Sequence, residues 1–377
     1  MKAKVLILIA MFMIFETQPS LGQINSEDLS RIVEQARLKF KLPAVAVVIL
    51  NSKEIYLTEI QGERINGKKN RVSVDDYFHI GSCSKSILAV IAAKLVEENK
   101  IDWNTNFFDV YPELKESSLK EYLNITLEDL FLCRAGIKAY TSGDEIFPKL
   151  DSTSQNNRYD FAKWLIQQKP ASKTQEEKFE FLYSNAGYSM ASLMLEGVSG
   201  KSYNELIKTY IIEEIGIETF IGFPNRFDPN QPWGHAISKN DIKIFEPENP
   251  YKLPELLIPA GDLSMKPLGF AKYIQLSLQG LKGNDNFINA DSYKYIHFAH
   301  KGFSLGVGNG EMFGYTFSGI DGSAGTFFCR AIVVPESDFA FTIMTNAGSG
   351  SGQLKAFDWI TMKIVKKHYN WWWKFWM

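Results

Sequence analysis

Apolar residues follow two different periods along the chain, and each period occupies its own region. Residues 26–41 carry apolar side chains at helical spacing behind the polar start Ser26-Glu27-Asp28, which predicts an amphipathic helix. Two β-rich apolar runs at 43–50 and 54–61, joined by Asn51-Ser52-Lys53, predict a hairpin. Strand patterns return before a final helix at about 353–368, and they cover 302–308, 311–317, 325–334 and 339–345.

The middle of the chain has the period of helices, which are predicted at 83–98, 126–132, 159–168, 185–198, 202–214 and 268–278. Because sequential hairpins favour an antiparallel sheet, the strands from the two ends have to pair with each other. The predicted fold class is therefore α/β (α+β), in one domain over residues 23–368. Its antiparallel sheet comes from about 23–76 and 300–368 and is flanked by helices, with an inserted all-α domain at about 77–299.

The N-terminus is predicted to be a targeting segment. Lys2 and Lys4 precede an apolar run from Val5 to Phe15, and Ser20-Leu21-Gly22 offers a small-x-small cleavage site. Residues 1–22 are therefore interpreted as a signal peptide, and the mature protein is expected to be secreted or periplasmic. An uncleaved anchor helix is the alternative.

Composition excludes several classes of function. With a net charge of −2 over 377 residues, the chain has no strong field to attract nucleic acid. The five His residues lack metal-ligand spacing, and no phosphate-cradling Gly-rich loop follows a strand pattern. Cys83, Cys133 and Cys329 are interpreted as buried small residues, with a Cys83–Cys133 pair left open.

The first candidate for chemistry is Ser82-Cys83-Ser84-Lys85, which opens an apolar helical stretch. Residues three apart share a face of a helix, so the Lys85 amine is expected beside the Ser82 hydroxyl. A lysine in a partly dry cleft can act as a base, and a serine hydroxyl needs such a base to become a nucleophile. A surface lysine on an ordinary N-terminal turn fits the same spacing.

Two further segments carry groups that suit the same chemistry. Tyr183-Ser184-Asn185 precedes a helix, where Asn185 could cap the helix or the phenol and amide could serve proton transfer and substrate binding. Ile320-Asp321-Gly322-Ser323 precedes a predicted strand, and a glycine on an edge strand lets a ligand approach closely. The backbone N–H groups of Ser323 and Ser82 could then form an oxyanion hole.

Taken together, these segments resemble the serine β-lactamase and penicillin-binding protein superfamily, most closely its branch of class C β-lactamases, D-amino-acid peptidases and esterases. Residues 78–86 match the nucleophile motif, and residues 183–185 match the Tyr-x-Asn motif. Residues 130–137 resemble a segment in which His is common at the position of Cys133, and residues 259–264 resemble a Pro-Ala-Gly-Gly-Leu-x-Ser stretch. The resemblance runs from about Ser26 to Lys367.

This resemblance implies a β-lactamase/transpeptidase-like fold and covalent catalysis without a metal or cofactor. Ser82 would attack a carbonyl to form an acyl-enzyme, and Lys85 and Tyr183 would shuttle the proton. Asn185 would hold the substrate amide and Lys85. The Gly322-Ser323 segment would supply the second oxyanion donor through the Ser323 backbone.

One position departs from the family pattern. The third motif of the family begins with Lys or His, whereas this chain has Ile320 there, followed by Asp321. Asp321 is interpreted as a turn or surface residue rather than a catalytic acid. The usual cation helps to bind a carboxylate of the substrate, so its absence weakens the β-lactamase and carboxypeptidase interpretations. His235, Arg134 or Lys301 could supply a charge from elsewhere, although His235 and Trp233 more often serve packing.

The predicted function is a serine hydrolase acting on an amide or ester, with a β-lactam, a D-amino-acid peptide or a small ester as substrate. The alternatives are a non-catalytic or weakly active protein that binds cell-wall peptide, and an acyl- or peptidyl-transferase. The expected partner is a small-molecule or peptide substrate, peptidoglycan-derived peptides included. The aromatic tail at 369–377, which holds four of the eight Trp residues, suggests contact with a membrane surface or the packing of a frayed end.

Overall fold

A computed structural model describes residues 24–141, 143, 145–149, 156–175, 178–238, 241–312, 314–348 and 351–369. The predicted signal peptide and residues 370–377 of the aromatic tail lie outside these ranges. Within them, no helix is long and apolar enough to cross a membrane.

The helices are distributed along the whole described chain. They are α1 (Ser26–Phe40), α2 (Ser84–Glu97), α3 (Phe107–Val110), α4 (Leu127–Phe131), α5 (Asn157–Leu165), α6 (Asn185–Ser199), α7 (Tyr203–Leu206), α8 (Pro224–Phe227), α9 (Ile258–Gly261), α10 (Pro267–Leu281), α11 (Ala290–Phe298) and α12 (Ser351–His368). A π-helix over Ile207–Glu214 continues α7, and short 3₁₀ turns include Gly81–Cys83.

The strands are concentrated near the two ends but also occur between them. They are β1 (Ala44–Leu50), β2 (Ile55–Gly62), β3 (Phe78–His79), β4 (Thr174–Gln175), β5 (Lys178–Phe179), β6 (Thr219–Ile221), β7 (Gly234–Ile237), β8 (Ile242–Phe245), β9 (Leu263–Met265), β10 (Gly308–Met312), β11 (Tyr315–Ser323), β12 (Phe328–Val334), β13 (Phe339–Thr345) and β14 (Ala347–Gly348).

The main sheet joins the two ends of the chain, as predicted. Its six strands lie in the order β10-β11-β12-β13-β1-β2, and every neighbouring pair is antiparallel. The N-terminal hairpin attaches through β1, which pairs with β13 from Val45 opposite Thr345 to Leu50 opposite Ala340. The predicted antiparallel sheet with flanking helices is confirmed.

The sheet separates two apolar cores, and this arrangement explains why every residue of β1 is apolar. Ala44, Ala46 and Val48 pack into the core on the side of α2, whereas their neighbours Val45 and Val47 pack into the core on the side of α1 and α12. Side chains alternate between the faces of a strand, so a central strand covered on both faces needs apolar residues at every position.

The predicted all-α character of the insertion is wrong. The region between the two parts of the main sheet contains short strands, which form a sheet of β3, β9 and β6, the pairing of β7 with β8, and the β4–β5 pair. β3 places the residues that precede Ser82 beside β9, because Phe78 pairs with Met265 and His79 with Ser264. Backbone pairing within the insertion therefore fixes the chain that leads into the candidate site.

Two predicted strands near the C-terminal part are also misplaced. The predicted strand at 302–308 meets β10 only at its last residue, because β10 begins at Gly308. The predicted strand at 311–317 covers the end of β10 and the start of β11. The glycines at 302, 306, 308, 310 and 314 carry no side chain that marks a face, so the sequence pattern does not fix the register here.

The cysteines are free and buried, so the Cys83–Cys133 pair does not form. The Cys133 thiol accepts a hydrogen bond from the Ser184 amide at 3.4 Å. Burial raises the pKa of Cys133 to about 11, so the thiol stays neutral near pH 7. The predicted role as small buried residues is confirmed for all three.

His235, one of the groups considered as a source of charge, is buried and neutral. Its Nδ1 lies 2.8 Å from the carbonyl oxygen of Asn346, and its Nε2 accepts a hydrogen bond from the Asn66 amide at 3.1 Å. A proton on Nε2 would face that amide N–H. Burial lowers the pKa of His235 to about 4. His235 therefore cannot supply the missing cation of the third motif.

This histidine predicts a loss of stability in acid. Because its pKa is lower in the folded chain than in the unfolded chain, the unfolded chain takes up the proton first as the pH falls. The contribution of neutral His235 to the free energy of unfolding is complete above pH 6.5 and is lost between pH 6.5 and about 4. At pH 5 the loss is about 2 kcal/mol. Urea unfolding at pH 7 and pH 5 should show a weaker pH dependence in His235→Gln, and an unchanged dependence would contradict this interpretation.

Candidate active site

The Ser82 hydroxyl and the Lys85 amine are in contact, as their spacing predicts. Ser82 lies in the 3₁₀ turn that links β3 to α2, and Lys85 lies in the first turn of α2. Lys85 Nζ donates a hydrogen bond to Ser82 Oγ at 3.1 Å. Ser82 is partly exposed, whereas the Lys85 side chain is fully buried. The arrangement offers a reachable hydroxyl with an amine held behind it.

Lys85 is fixed by two further acceptors. Its Nζ donates to Asn185 Oδ1 at 2.7 Å and to the Ala260 carbonyl oxygen at 2.6 Å. Three acceptors match the three donors of an ammonium group. Lys85 must therefore give up one proton before it can take the proton of Ser82. Sequence analysis noted the stretch around Ala260 only for its resemblance to a family segment. No pattern of side chains predicts that a backbone carbonyl oxygen will accept a hydrogen bond from Lys85.

Asn185 does not cap its helix. Ser184 is the N-cap of α6, since its Oγ accepts the Gly187 amide at 2.9 Å. The Asn185 amide is thereby left for tertiary contacts: Oδ1 binds Lys85, and Nδ2 donates to the Tyr140 carbonyl oxygen at 2.7 Å. These two bonds orient the amide toward the Ser82–Lys85 pair.

Tyr183 lies beside the same amine. Lys85 Nζ is 4.9 Å from the centre of the Tyr183 ring, a distance typical of a cation–π contact. Within the described ranges, no hydrogen bond joins the Tyr183 hydroxyl to Ser82 or Lys85. The structure therefore brings the phenol to the site without the direct proton path that the resemblance implies.

The end of β11 lies against the turn that carries Ser82. Gly81 has φ +53°, and a Cβ there would come within 2.5 Å of the Ser323 backbone nitrogen. A Cβ on Gly322 would come within 1.9 Å of the Ile80 carbonyl oxygen. Both glycines are therefore needed for the close approach that brings the Ser323 backbone next to the Ser82 turn.

The Ile320–Ser323 segment belongs to β11 rather than to a loop before the next strand. β11 is not at the edge of the sheet, but its pairing with β10 ends at Gly319 opposite Gly308. In the described part of the chain, no strand pairs with residues 320–323 on that side. A local edge is thus open beside Ser82, where a substrate backbone could pair.

A groove of about 610 Å³ runs along this open edge. Its lining is mostly apolar and joins Tyr183 to β11, β12 and α12, including Phe303, Gly319, Ile320, Asp321, Arg330, Asp358 and Met362. Arg134 and Lys301, the remaining candidates for a compensating charge, are exposed residues outside this lining.

Asp321 is exposed, as predicted for a surface residue, but it lies in strand β11 rather than in a turn and forms a cross-strand ion pair. Arg330 Nε and Nη2 donate to its two carboxylate oxygens at 2.6 and 2.7 Å. Arg330 Nη1 donates to Asp358 at 2.8 Å. Burial acts to lower the pKa of Arg330, but the hydrogen bonds and charges of the two carboxylates outweigh it and raise the pKa.

A buried His79–Asp262 pair supports the turn before Ser82, and sequence reasoning missed it. The Gly81 amide donates to His79 Nδ1 at 3.1 Å, so the ring proton lies on Nε2, which is 2.8 Å from Asp262 Oδ1. His79 also stacks on Phe223 with ring centres 4.6 Å apart. The available signal was Asp262 itself, which replaces a glycine of the family stretch.

We predict that His79 is a positioning residue for the Ser82 turn. His79→Phe keeps a ring but removes the acceptor for the Gly81 amide, so the maximal rate of Ser82 acylation should fall about 10- to 100-fold, because small misplacements carry such costs. Stopped-flow acylation separates this rate from substrate affinity, which should change little. Phe223→Leu removes the stacking but keeps the hydrogen bond and serves as the control. An unchanged maximal rate in folded His79→Phe would contradict the prediction.

Among the described residues, no group of three or more His, Cys, Asp or Glu side chains is placed to hold an ion.

Comparison with known proteins places this geometry in context. Curated relatives include Protein flp from Staphylococcus aureus (strain N315), 24% identical over 48% of this chain and 35% of the relative. Another is the unguisins hydrolase ungD from Aspergillus violaceofuscus, 21% identical over 66% of this chain and 44% of the relative. The chain thus spans less than half the length of these relatives.

Solved structures share the fold over nearly the whole chain. The D-amino acid amidase from Ochrobactrum anthropi SV3 has a TM-score of 0.73 at 16% identity, covering 91% of this chain and 99% of that one. A class C beta lactamase from Rhodobacter sphaeroides has a TM-score of 0.69 at 16% identity, covering 90% and 100%. The Beta-lactamase family model matches residues 29–360. This match includes the Ser82 turn, Lys85, Tyr183, Asn185 and the end of β11, and the chain therefore belongs to the beta-lactamase family.

Proposed function

We propose that this protein is a serine hydrolase that cleaves an amide or ester through an acyl-enzyme at Ser82. The observation that carries the proposal is the hydrogen bond from Lys85 Nζ to Ser82 Oγ, in a site where Asn185 and Ala260 hold the same amine. A buried amine aligned on a reachable hydroxyl is the arrangement that activates a serine nucleophile. Membership of the beta-lactamase family supports this assignment.

The reaction would proceed in two halves. Deprotonated Lys85 would take the Ser82 proton as Oγ attacks the substrate carbonyl, and the proton would pass to the leaving group, with the Tyr183 phenol moving into the proton path. The backbone N–H groups of Ser82 and Ser323 would stabilise the oxyanion. Asn185 would contact the substrate amide. Water would then attack the acyl-enzyme and restore Ser82.

The substrate is proposed to be an ester or amide that carries no carboxylate beside the scissile bond. Ile320 occupies the position at which the family pattern has a cation, and the groove along it is mostly apolar. The names of similar proteins suggest further candidates: D-amino acid amides, β-lactams and unguisins. A weakly active or purely binding protein is the second candidate, favoured by Ile320 and by the Tyr183 hydroxyl, which has no direct bond to Ser82 or Lys85 in the described residues.

A substrate panel tests this proposal. Purified protein would be assayed with p-nitrophenyl acetate, a D-alanine p-nitroanilide and a chromogenic cephalosporin, beside the Ser82→Ala variant. Turnover of the neutral ester that disappears in Ser82→Ala would support the hydrolase. Slow acylation of wild type without turnover would favour the binding protein, and no reaction of any probe at Ser82 would reject the hydrolase.

Secretion and surface contact remain proposals with their own tests. Cleavage before Gln23 would appear as the N-terminal mass of protein recovered outside the cytoplasm, and retention of residues 1–22 on all of it would reject a cleaved signal peptide. Flotation with liposomes, with and without residues 370–377, tests the membrane contact, which equal behaviour of the two forms would exclude.

A further inference from the structure

We propose that the β11 end of the groove beside Tyr183 binds a cationic group on the leaving group of the substrate, where the family pattern predicts a site for a carboxylate. This inference rests on the proposed hydrolase function and names the charge class of its substrate. It assigns Asp321 and Asp358 as the residues that determine specificity.

The first argument is the charge balance of this end of the groove. Arg330 is the one cation among the described lining residues, and it faces two carboxylates, those of Asp321 and Asp358. One positive and two negative charges leave a surplus of one negative charge. A substrate carboxylate would enter against this surplus, whereas a cation would neutralise it.

The second argument is that every nitrogen of the Arg330 guanidinium already has an acceptor. Its Nε and Nη2 form a bidentate pair with Asp321, and its Nη1 donates to Asp358 and, at 3.2 Å, to Thr361 Oγ1. The Arg330 side chain is only 10% exposed, behind carboxylates that are 37% and 58% exposed. A ligand in the groove therefore meets the carboxylates before it meets the guanidinium.

The third argument is position along the strand. Asp321 precedes Ser323 by two residues on β11, so the two lie on the same face about 7 Å apart. The Ser323 backbone adjoins the Ser82 turn, where the scissile carbonyl would bind. Asp321 thus belongs to the strand whose end adjoins the position of the reacting bond. In the resemblance, the cation at this end binds the terminal carboxylate of a peptide, which belongs to the leaving group, and so we assign the cation to the leaving group.

Three thioesters with one acyl group and leaving groups of similar size test the proposal. They are butyrylthiocholine, its uncharged carbon isostere S-(3,3-dimethylbutyl) thiobutyrate, and the anionic S-butyryl 3-mercaptopropionate, with the released thiol measured by a disulfide dye. We expect kcat/KM to fall in that order, with the cationic ester at least about tenfold above the anionic ester at low salt. Added salt should reduce the ratio.

Charge variants identify the residues. Asp358→Asn keeps the bidentate Asp321–Arg330 pair and removes the surplus charge, so the cationic-to-anionic ratio should fall toward one. Asp321→Asn combined with Asp358→Asn leaves Arg330 uncompensated and should reverse the preference. Glu116→Gln, an equal change of charge at an exposed position outside the groove, is the control and should keep the wild-type ratio.

The outcomes separate this inference from the function on which it rests. Ser82-dependent cleavage of all three thioesters at equal kcat/KM, or a preference for the anionic one, would overturn the cationic subsite and leave the hydrolase standing. A wild-type preference that survives in Asp358→Asn would overturn the assignment to Asp358. No Ser82-dependent cleavage of any thioester would overturn the proposed function and this inference together.

Discussion

Replacement of Ser82 by alanine is expected to lower hydrolysis by about 10⁴- to 10⁶-fold, as loss of a catalytic nucleophile does in other serine hydrolases. The Ser82 hydroxyl is the group that would form the covalent bond. No neighbouring hydroxyl is free to replace it as the nucleophile that Lys85 activates. Ser84 Oγ donates to the Gly81 carbonyl oxygen, and Ser86 Oγ donates to the Cys83 carbonyl oxygen, each at 2.8 Å. Both neighbouring hydroxyls are therefore occupied and buried.

Ser86→Ala is the matched control for this substitution. It removes a hydroxyl from α2, four residues after Ser82, and is expected to cost about 1 kcal/mol of stability through the lost hydrogen bond. It should retain most of the activity. Steady-state hydrolysis of a neutral ester, with circular dichroism as a check of folding, measures both variants. Comparable activity of folded Ser82→Ala and wild type would contradict the proposed nucleophile.

Replacement of Lys85 by methionine is expected to slow acylation by about 10²- to 10⁴-fold, the range for removal of a general base. Methionine approximates the length of the aliphatic stem, so the packing around the fully buried side chain is largely kept. The substitution also removes the amine that orients Asn185, because Lys85 Nζ donates a hydrogen bond to Asn185 Oδ1. Some stability should be lost as well, about 1–3 kcal/mol for the acceptors left unpaired.

Lys94→Met separates this effect from the loss of any lysine in α2. Lys94 lies nine residues further along the same helix, with its side chain 25% exposed and 3.8 Å from Glu214. Its removal should leave the acylation rate at the wild-type value. Acylation is measured as the rate of covalent labelling across pH. A folded Lys85→Met protein that is labelled as fast as wild type would exclude Lys85 as the base.

The sequence predicts well those features that depend on local periodicity. β1, β2 and β13 and the helices α2 and α6 lie where alternating or helical apolar patterns place them. The contact between Ser82 and Lys85 follows for the same reason, because both residues belong to one turn of chain. The strands around β10 were predicted wrongly, because glycines have no side chains whose alternation would indicate the register of a strand.

Features that depend on distant parts of the chain could not be predicted from single residues. The Ala260 carbonyl oxygen binds Lys85 across 175 positions, and no residue type indicates such a contact. The His79–Asp262 pair is another case, in which each residue alone suggests an ordinary polar position. Asp321 was interpreted as a turn or surface residue because its partner Arg330 becomes visible only when β11 and β12 are paired in register.

The pairing of β11 with β12 also shows what accompanies the loss of the family cation at Ile320. The family cation is absent, and the charge of the neighbouring groove is set by Arg330 between two carboxylates. The chemistry of attack and the choice of substrate thus depend on different residues. Ser82 and Lys85 would determine whether a bond is cleaved, and the groove beside β11 would determine which molecule presents it.

The central claim is that Ser82 forms a covalent acyl-enzyme, and intact-mass labelling tests it most directly. Wild type and Ser82→Ala would each be incubated with a fluorophosphonate and, separately, with a penicillin, and the adducts would be mapped by peptide mass. We predict one fluorophosphonate adduct on the peptide that contains Ser82, absent from Ser82→Ala, and a weak or absent penicillin adduct. Failure of both reagents to label Ser82 in folded wild-type protein, or labelling that persists in Ser82→Ala, would contradict the account.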